Sequence, residues 1–379
     1  MDCSPTVAPS RPLRVLVAPL DWGLGHTTRC IPVIYELLRQ GCEVTLAGNQ
    51  AQKALLNREF TRLPFLQLKG YGMRYAKGKF RSLIRLLFKV PSVFRAITKE
   101  NNWLAQAIRE HQFDAVISDN RFGLYHPSIP CFFITHQLQV KSPFGKWTEG
   151  ILRKMNYHYI NRFSECWIPD FANDSNLAGD LSHPSRFPKI PCHFIGTLSR
   201  FESTRSNEDK DHLFISISGP EPQRSIFENL IVRDIAHYEG TACIVRGLPD
   251  EDKLIPSTDS IRFYNHLSGE EFKKELSKAE WVISRSGYST IMDIAAMRKK
   301  SIMIPTPGQT EQEYIATYLH QKRLIFATGQ SDFSLPVALA SARKHRYAEF
   351  ASTENNLLPS VVESMIHRLK TNRLTIGQS

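Results

Sequence analysis

Ser284-Arg285-Ser286-Gly287-Tyr288-Ser289-Thr290-Ile291-Met292-Asp293 is the stretch on which the reading of this chain turns. An apolar run, residues 281–283, leads into it, and a helix-forming segment continues from it. Small residues at a strand-to-helix junction leave backbone N–H groups unpaired at the helix N-terminus, where a phosphate is favoured. Asp293 falls about two turns into that helix, placed to accept hydrogen bonds from a ribose diol. After the next strand, 301–304, the turn Pro305-Thr306-Pro307-Gly308 opens into Gln309-Thr310-Glu311-Gln312-Glu313-Tyr314. Gln312 and Glu313 then stand at a strand's carboxyl end and suit sugar hydroxyls. Each residue has a plainer use: Gly287 in close helix–strand packing, Asp293 as a solvated helix residue. Taken in order, they describe a nucleotide-sugar site.

The same alternation of short apolar strands and amphipathic helices runs through the whole chain. Strands are predicted at 13–19, 42–47, 115–118, 131–134, 166–168 and 193–195, and a second set at 213–217, 242–245, 261–264, 281–283 and 301–304. Strands separated by helices imply parallel sheets covered on both faces. At 379 residues the chain exceeds a typical single core. The predicted organisation is a Rossmann-like domain over 1–196 with a loose tail at 1–12, then a linker at 197–211. A second Rossmann-like domain spans 212–354, and a C-terminal helix and tail at 355–379 pack on either half. Ligands of open α/β sheets bind at the carboxyl ends of the strands, so a cleft between two such ends is the expected seat of chemistry.

The first strand ends in Gly23-Leu24-Gly25-His26, with a helix predicted from about Thr27. Glycines there permit close approach of backbone or ligand, and His26 adds a group that titrates near neutrality. A tight turn with a surface histidine is the alternative. The full G-x-G-x-x-G fingerprint fails at Thr28, and the second strand ends in Gly48-Asn49 without the ribose-holding carboxylate, which disfavours a nicotinamide cofactor.

Composition is that of a globular protein, 42% hydrophobic and 22% charged. No apolar run reaches the length of a spanning helix, and residues 1–12 lack a signal-peptide core. The seven cysteines form no C-x-x-C pair, which suits a reducing cytosol. The net charge of +11 is concentrated: ten basic residues and no acidic one lie between Phe60 and Lys99. Within 79–97, Phe80, Leu83, Ile84 and Leu87 recur at helical spacing, flanked by Lys79, Arg81, Arg85 and Lys89; Pro91 is predicted to end or kink that helix. Such a segment suits an anionic membrane surface, or an ordinary core-facing helix. No groove-reading or stacking motif points to nucleic acid.

The C-terminal motifs resemble the nucleotide-sugar half of GT-B glycosyltransferases. Within these they resemble glycosyltransferase family 28, the group containing the MurG-type N-acetylglucosaminyltransferases. The resemblance implies two Rossmann-like domains facing across a cleft, a UDP-sugar co-substrate, and no metal or other cofactor. It implies that Ser286 and Gly287 handle diphosphate, that Asp293 holds the ribose, and that Gln312 with Glu313 reads the sugar. Gly196-Thr197-Leu198-Ser199-Arg200 resembles the family's interdomain Gly-x-x-x-Arg, making Arg200 a donor contact or a salt-bridge partner. The family's Gly-rich loop is replaced by Ser218-Gly219-Pro220-Glu221-Pro222-Gln223-Arg224. Two prolines there remove N–H donors, so diphosphate contact shifts from Ser218 and Gly219 toward Gln223 and Arg224; Arg224 also has a salt-bridge reading. Glu313 replaces the second Gln of the sugar pair, and Thr135-His136-Gln137 replaces an acceptor-side His-Glu pair. These departures set the chain apart from the peptidoglycan enzyme.

The implied reaction moves a hexosyl or N-acetylhexosaminyl group from a UDP-sugar to a hydroxyl, with inversion. The acceptor is a lipid-linked or other glycan at the cytoplasmic face of the cell membrane. His26 is the candidate base; Asp119, in Ser118-Asp119-Asn120-Arg121, orients its ring or caps a turn. Gly23, Gly25, His136 and Gln137 line the acceptor side. Asp250-Glu251-Asp252 reads as a polar loop and not as a metal site. A UDP-sugar 2-epimerase and a non-catalytic sugar-nucleotide-binding protein are the alternatives.

Overall fold

The structure, a computed structural model, describes residues 11–71, 79–201, 208–249, 251–351 and 357–376, with the backbone course alone for 79–92 and 374–376. The N-terminal half runs β1 (Arg14–Pro19), α1 (Leu24–Arg39), β2 (Glu43–Gly48), α2 (Gln50–Glu59), β3 (Phe65–Gln67), α3 (Lys79–His111), β4 (Ala115–Asp119), β5 (Cys131–Ile134), α4 (Lys146–Ile160), β6 (Glu165–Ile168) and β7 (Cys192–Phe194). The C-terminal half runs β8 (Asp209–Ser216), α5 (Gln223–Ile235), β9 (Thr241–Val245), β10 (Ile261–Tyr264), α6 (Gly269–Lys278), β11 (Ala279–Ser284), α7 (Tyr288–Met297), β12 (Ser301–Met303), α8 (Thr310–Gln321), β13 (Phe326–Ala327), α9 (Leu335–Lys344) and α10 (Leu358–Ile376).

Two parallel sheets result. Their orders are β3-β2-β1-β4-β5-β6-β7 and β10-β9-β8-β11-β12-β13. Each is doubly wound, reversing direction beside its first strand, between β1 and β4 in one sheet and between β8 and β11 in the other. Loops diverge at those points and open a crevice at the strands' carboxyl ends. Central strands are apolar along their length because helices cover both faces. All five residues of β4 are buried, including Asp119 at its end. Asn49 with Gln52 and Ser268 with Glu271 form capping boxes that start α2 and α6.

Three local expectations are corrected. α1 begins at Leu24 rather than near Thr27, because Gly23 takes a φ of 75° and turns the chain directly into the helix. His26 therefore rides the first helical turn. Of the two outcomes expected at Pro91, an end or a kink, the end does not occur; α3 continues to His111, and Ile97, Leu104 and Ala107 anchor it in the core. β3 and β13 were not anticipated, since runs of three and two residues, none of them fully buried, carry no readable alternation.

α7 is buried along nearly its whole length, with the sheet behind it and α1 packed near it across the cleft. α10 returns to the first domain: Gln40 donates to the Pro359 carbonyl at 3.0 Å, and Arg368 and Arg373 pair with Glu165 and Asp114. No helix among the described residues is long and apolar enough to cross a membrane.

Candidate active site

The switch point of the first sheet gathers a buried polar cluster. His26 Nδ1 stands 2.8 Å from Asp119 Oδ2. With the ring proton on Nδ1 donated to the carboxylate, Nε2 keeps its lone pair for a substrate proton. Arg29, one turn further along α1, grips the same carboxylate: Nε lies 3.0 and 3.1 Å from its two oxygens, and Nη2 also donates to Oδ1. Burial and the nearby Arg29 cation hold the His26 imidazole below its usual pKa, against the pull of Asp119. Burial works to raise Asp119, but Arg29 and His26 outweigh it, so the carboxyl stays below its ordinary range. The ring is thus neutral, and its partner ionised, near neutral pH.

The cluster continues across the cleft. Arg29 Nη1 lies 3.2 Å from His136 Nδ1, and His136 Nε2 lies 2.8 Å from Glu311 Oε1 at the start of α8. Gln137 donates to the other Glu311 oxygen. The His136 ring stacks on Tyr288, centroids 4.0 Å apart and 13° between planes. Gly25 serves close approach: its carbonyl accepts from Ser289 Oγ at 2.9 Å, and a Cβ there would lie 3.0 Å from that oxygen. At Gly23 the φ above zero, rather than crowding, calls for glycine.

At the second switch point, Gly287 caps α7 with open space where a Cβ would stand. Exposed Ser218 and Gly219 lie in the loop between β8 and α5, with Gly219 at a φ of 112°. Asp293 accepts from Ser199 Oγ at 2.7 Å, and burial pushes its carboxyl up to about 6, against that hydrogen bond and Arg200. Ser286 Oγ donates to the Gln312 carbonyl at 2.9 Å, tying α7 to α8. Buried Arg285 organises this wall, donating to the carbonyls of Ile304 and Gln223 at 3.1 and 2.8 Å. Gln330 Nε2 meets Gln223 Oε1 at 2.8 Å.

Several donor-side candidates have partners within the protein. Arg224 is committed within its own domain. Its nitrogens reach Glu221 at 2.6 Å, Glu228 at 3.2 Å and the Arg246 carbonyl at 3.3 Å. A buried guanidinium paired with two carboxylates has little left to offer a diphosphate. Gln312 and Glu313 fold back onto the turn before α8, accepting from the N–H groups of Thr306 at 2.9 Å and Gly308 at 2.8 Å. Glu311, one residue earlier, faces the first domain instead. Arg200 pairs with Glu59 at 3.5 Å and lies 4.8 Å from the Phe201 ring.

Arg29, Glu311, Tyr288 and Arg285 were not assigned roles from sequence. For Arg29 a signal existed, a basic residue on an otherwise apolar helix face three positions after a histidine. For Glu311 none did, since its partner lies 175 positions away in the chain. Of the acidic run at 250–252, Asp250 lies outside the described residues. No metal-holding group of three or more His, Cys, Asp or Glu occurs among the described residues.

Two facing doubly wound parallel sheets, with polar clusters at both switch points, define the GT-B glycosyltransferase fold, and solved glycosyltransferases superpose on nearly the whole chain. Residues 267–366 match the glycosyltransferase family 28 C-terminal domain, and the chain is a glycosyltransferase of this GT-B type. Over 318 residues it is 23% identical to the UDP-N-acetylglucosamine–N-acetylmuramyl-(pentapeptide) pyrophosphoryl-undecaprenol N-acetylglucosamine transferase of Haemophilus ducreyi, covering 82% of this chain and 83% of that one. An uncharacterized glycosyltransferase of Methanosarcina mazei is 24% identical over 357 residues, covering 83% and 87%. The Arabidopsis thaliana UGT89C1 structure, complexed with UDP-L-rhamnose, aligns with a TM-score of 0.57 at 12% identity, over 96% of this chain and 95% of that one.

Proposed function

We propose that this enzyme transfers a hexosyl or N-acetylhexosaminyl group from a UDP-sugar to a hydroxyl of a lipid-linked or membrane-associated acceptor, inverting the anomeric centre. The observation that carries this reading is the His26–Asp119 pair on one side of the cleft, with the open α7 N-terminus on the other. His26 Nε2 takes the acceptor hydroxyl's proton as the oxygen bonds to the anomeric carbon. The bond from that carbon to the diphosphate breaks, and UDP leaves with the electron pair. Asp119 stabilises the imidazolium that forms. The N–H groups at the start of α7, with Ser218, Gly219 and Gln223, receive the diphosphate charge, a preorganised stabilisation. Asp293 takes the ribose on giving up Ser199. Gly23, Gly25, His136 and Gln137 flank the acceptor hydroxyl.

UDP as the nucleotide is supported by the named donor of the Haemophilus relative and the ligand of the Arabidopsis structure. A membrane-borne acceptor is supported by α4. Trp147, Ile151 and Met155, four residues apart, are exposed on one face, with Phe144 just before the helix. Phe94 of α3 and Met155 share a surface cavity of about 240 Å³, and Lys146, Arg153 and Lys154 flank the stripe. The side chains of Lys79, Arg81, Arg85 and Lys89 lie outside the described residues. The described cysteines are free, which fits work at the cytoplasmic face.

A thermal-shift screen of UDP, UDP-hexoses, UDP-N-acetylhexosamines and other nucleotide sugars tests the donor class, since binding stabilises the native state. Stabilisation by another nucleotide but not by UDP overturns it. Interconversion of a UDP-sugar without acceptor identifies a 2-epimerase instead, and tight UDP binding with no transfer to any lipid extract identifies a binding protein. Co-sedimentation with anionic vesicles tests the membrane: Trp147→Ser with Met155→Ser lowers the bound fraction, and an unchanged fraction refutes α4 docking.

A further inference from the structure

The cleft holds a second histidine that the proposed reaction does not use as a base. His136 is buried, yet both its ring edge and its ring face are met from the other domain, by Glu311 and Tyr288. Its protonation follows from its neighbours. An arginine nitrogen only donates, so Arg29 Nη1 makes His136 Nδ1 the acceptor. The ring proton then sits on Nε2 and is donated to Glu311 Oε1. Gln137 donates to the second Glu311 oxygen, so both carboxylate oxygens are engaged.

The charges along this chain are uneven. Within the first domain, Arg29 and Asp119 cancel, and neutral His26 and His136 add nothing. When His26 accepts a proton it becomes a cation beside Arg29. Glu311 brings the compensating negative charge, and it comes from the donor-binding domain. The groups facing His26 are Asp119 from β4, Arg29 from its own helix, His136 from the segment after β5, and Glu311 from α8. Buried Cys30 is also near Asp119, and burial pushes its thiol well up, leaving it neutral. The Tyr288 hydroxyl stays protonated for the same reason and donates to the Pro169 carbonyl at 2.7 Å.

We propose that Glu311 is a positioning residue that makes His26 a competent base only while the donor domain is seated against the acceptor domain. Acting through His136 and Arg29, it holds Arg29 in place on Asp119 and supplies the charge that offsets the imidazolium. It occupies the cleft without contributing a reacting atom. Proton abstraction is thereby tied to the presence of the donor half, which disfavours futile hydrolysis. This rests on the reading of His26 as the base, and the test separates the two.

Glu311→Gln keeps the shape and removes the charge. It should lower kcat by about three- to tenfold, leave the UDP-sugar KM within about twofold, and move the acid limb of the kcat profile down by about half a pH unit. His136→Gln should give the same loss, and the double variant should be no worse than either single one, because they interrupt one pathway. An unmoved acid limb overturns the proposal, as does a rise in donor KM alone, which would make Glu311 an ordinary donor contact. The titration of His26 by NMR, in the full chain with ¹³C-labelled histidine and no substrate, needs no activity. A downward shift in Glu311→Gln supports the coupling, and an unmoved one refutes it. If His26→Ala turns over normally while that titration still moves, the base assignment has failed and the coupling stands. If Glu311→Gln does not fold, His136→Gln carries the same readouts.

Discussion

Asp293→Asn separates what this site does for the fold from what it does for the ligand. The carboxyl titrates at about 6 against an ordinary 3.8, because burial outweighs Ser199 and Arg200. A raised carboxyl pKa means that the folded state holds its proton more tightly than the unfolded one. Between those two values folding takes up protons, so stability falls as pH rises, and above about 6 the full cost is present. At 1.36 kcal/mol for each pH unit, the cost approaches about 3 kcal/mol at pH 7.5 and about 1.6 kcal/mol at pH 5. These are upper values, because the cleft wall relaxes. Asparagine keeps an oxygen for the Ser199 hydroxyl at the same position and carries no charge. Urea denaturation should therefore find the Asn variant more stable by about 1–3 kcal/mol at pH 7.5, with the gap about halved at pH 5. The same variant should bind UDP about 10- to 100-fold more weakly, since hydrogen bonds to a charged group contribute about 1.5–3 kcal/mol. A variant less stable than the parent at pH 7.5, or a gap independent of pH, would refute the reasoning. Unchanged UDP affinity removes Asp293 from the ribose.

Other outcomes follow from the same geometry. His26→Ala should lower turnover by about two to four orders of magnitude with UDP binding little changed, measured by steady-state kinetics and calorimetry. Because burial and Arg29 lower the His26 pKa, and a base works when deprotonated, the acid limb of kcat/KM should inflect below 6.5; an inflection above it counts against His26. Glu100→Ala leaves Arg121 buried without its 2.7 Å partner and deprives Tyr71 Oη and the Gly123 N–H of theirs. Chemical denaturation should register a loss of about 3–5 kcal/mol. Gly25→Val sets branched carbon against Ser289 across the cleft, so it should reduce turnover while leaving UDP affinity near normal; full turnover would show that this close approach is dispensable.

Strand and helix order, the two α/β halves and the glycine-led start of α7 were legible in the sequence, because each depends on local periodicity and on glycines at strand ends. His26 and Asp119 were legible as candidates for the same reason: both end strands or open helices at predictable carboxyl edges. Their 2.8 Å contact was not, since it depends on β1 and β4 being neighbours. The short strands β3 and β13 and the passage of α3 through Pro91 depended on partners elsewhere in the chain. So did the fate of Arg224, Gln312 and Glu313: the first is held by Glu221, Glu228 and the Arg246 carbonyl, and the other two by the turn before α8. Local pattern thus settles which elements form and which loops face a ligand. Which charged side chains remain available in the cleft, and which meet across it as His136 and Glu311 do, is decided only when the two halves pack against each other. Burial at that stage selects ion pairs between residues whose separation along the chain carries no signal.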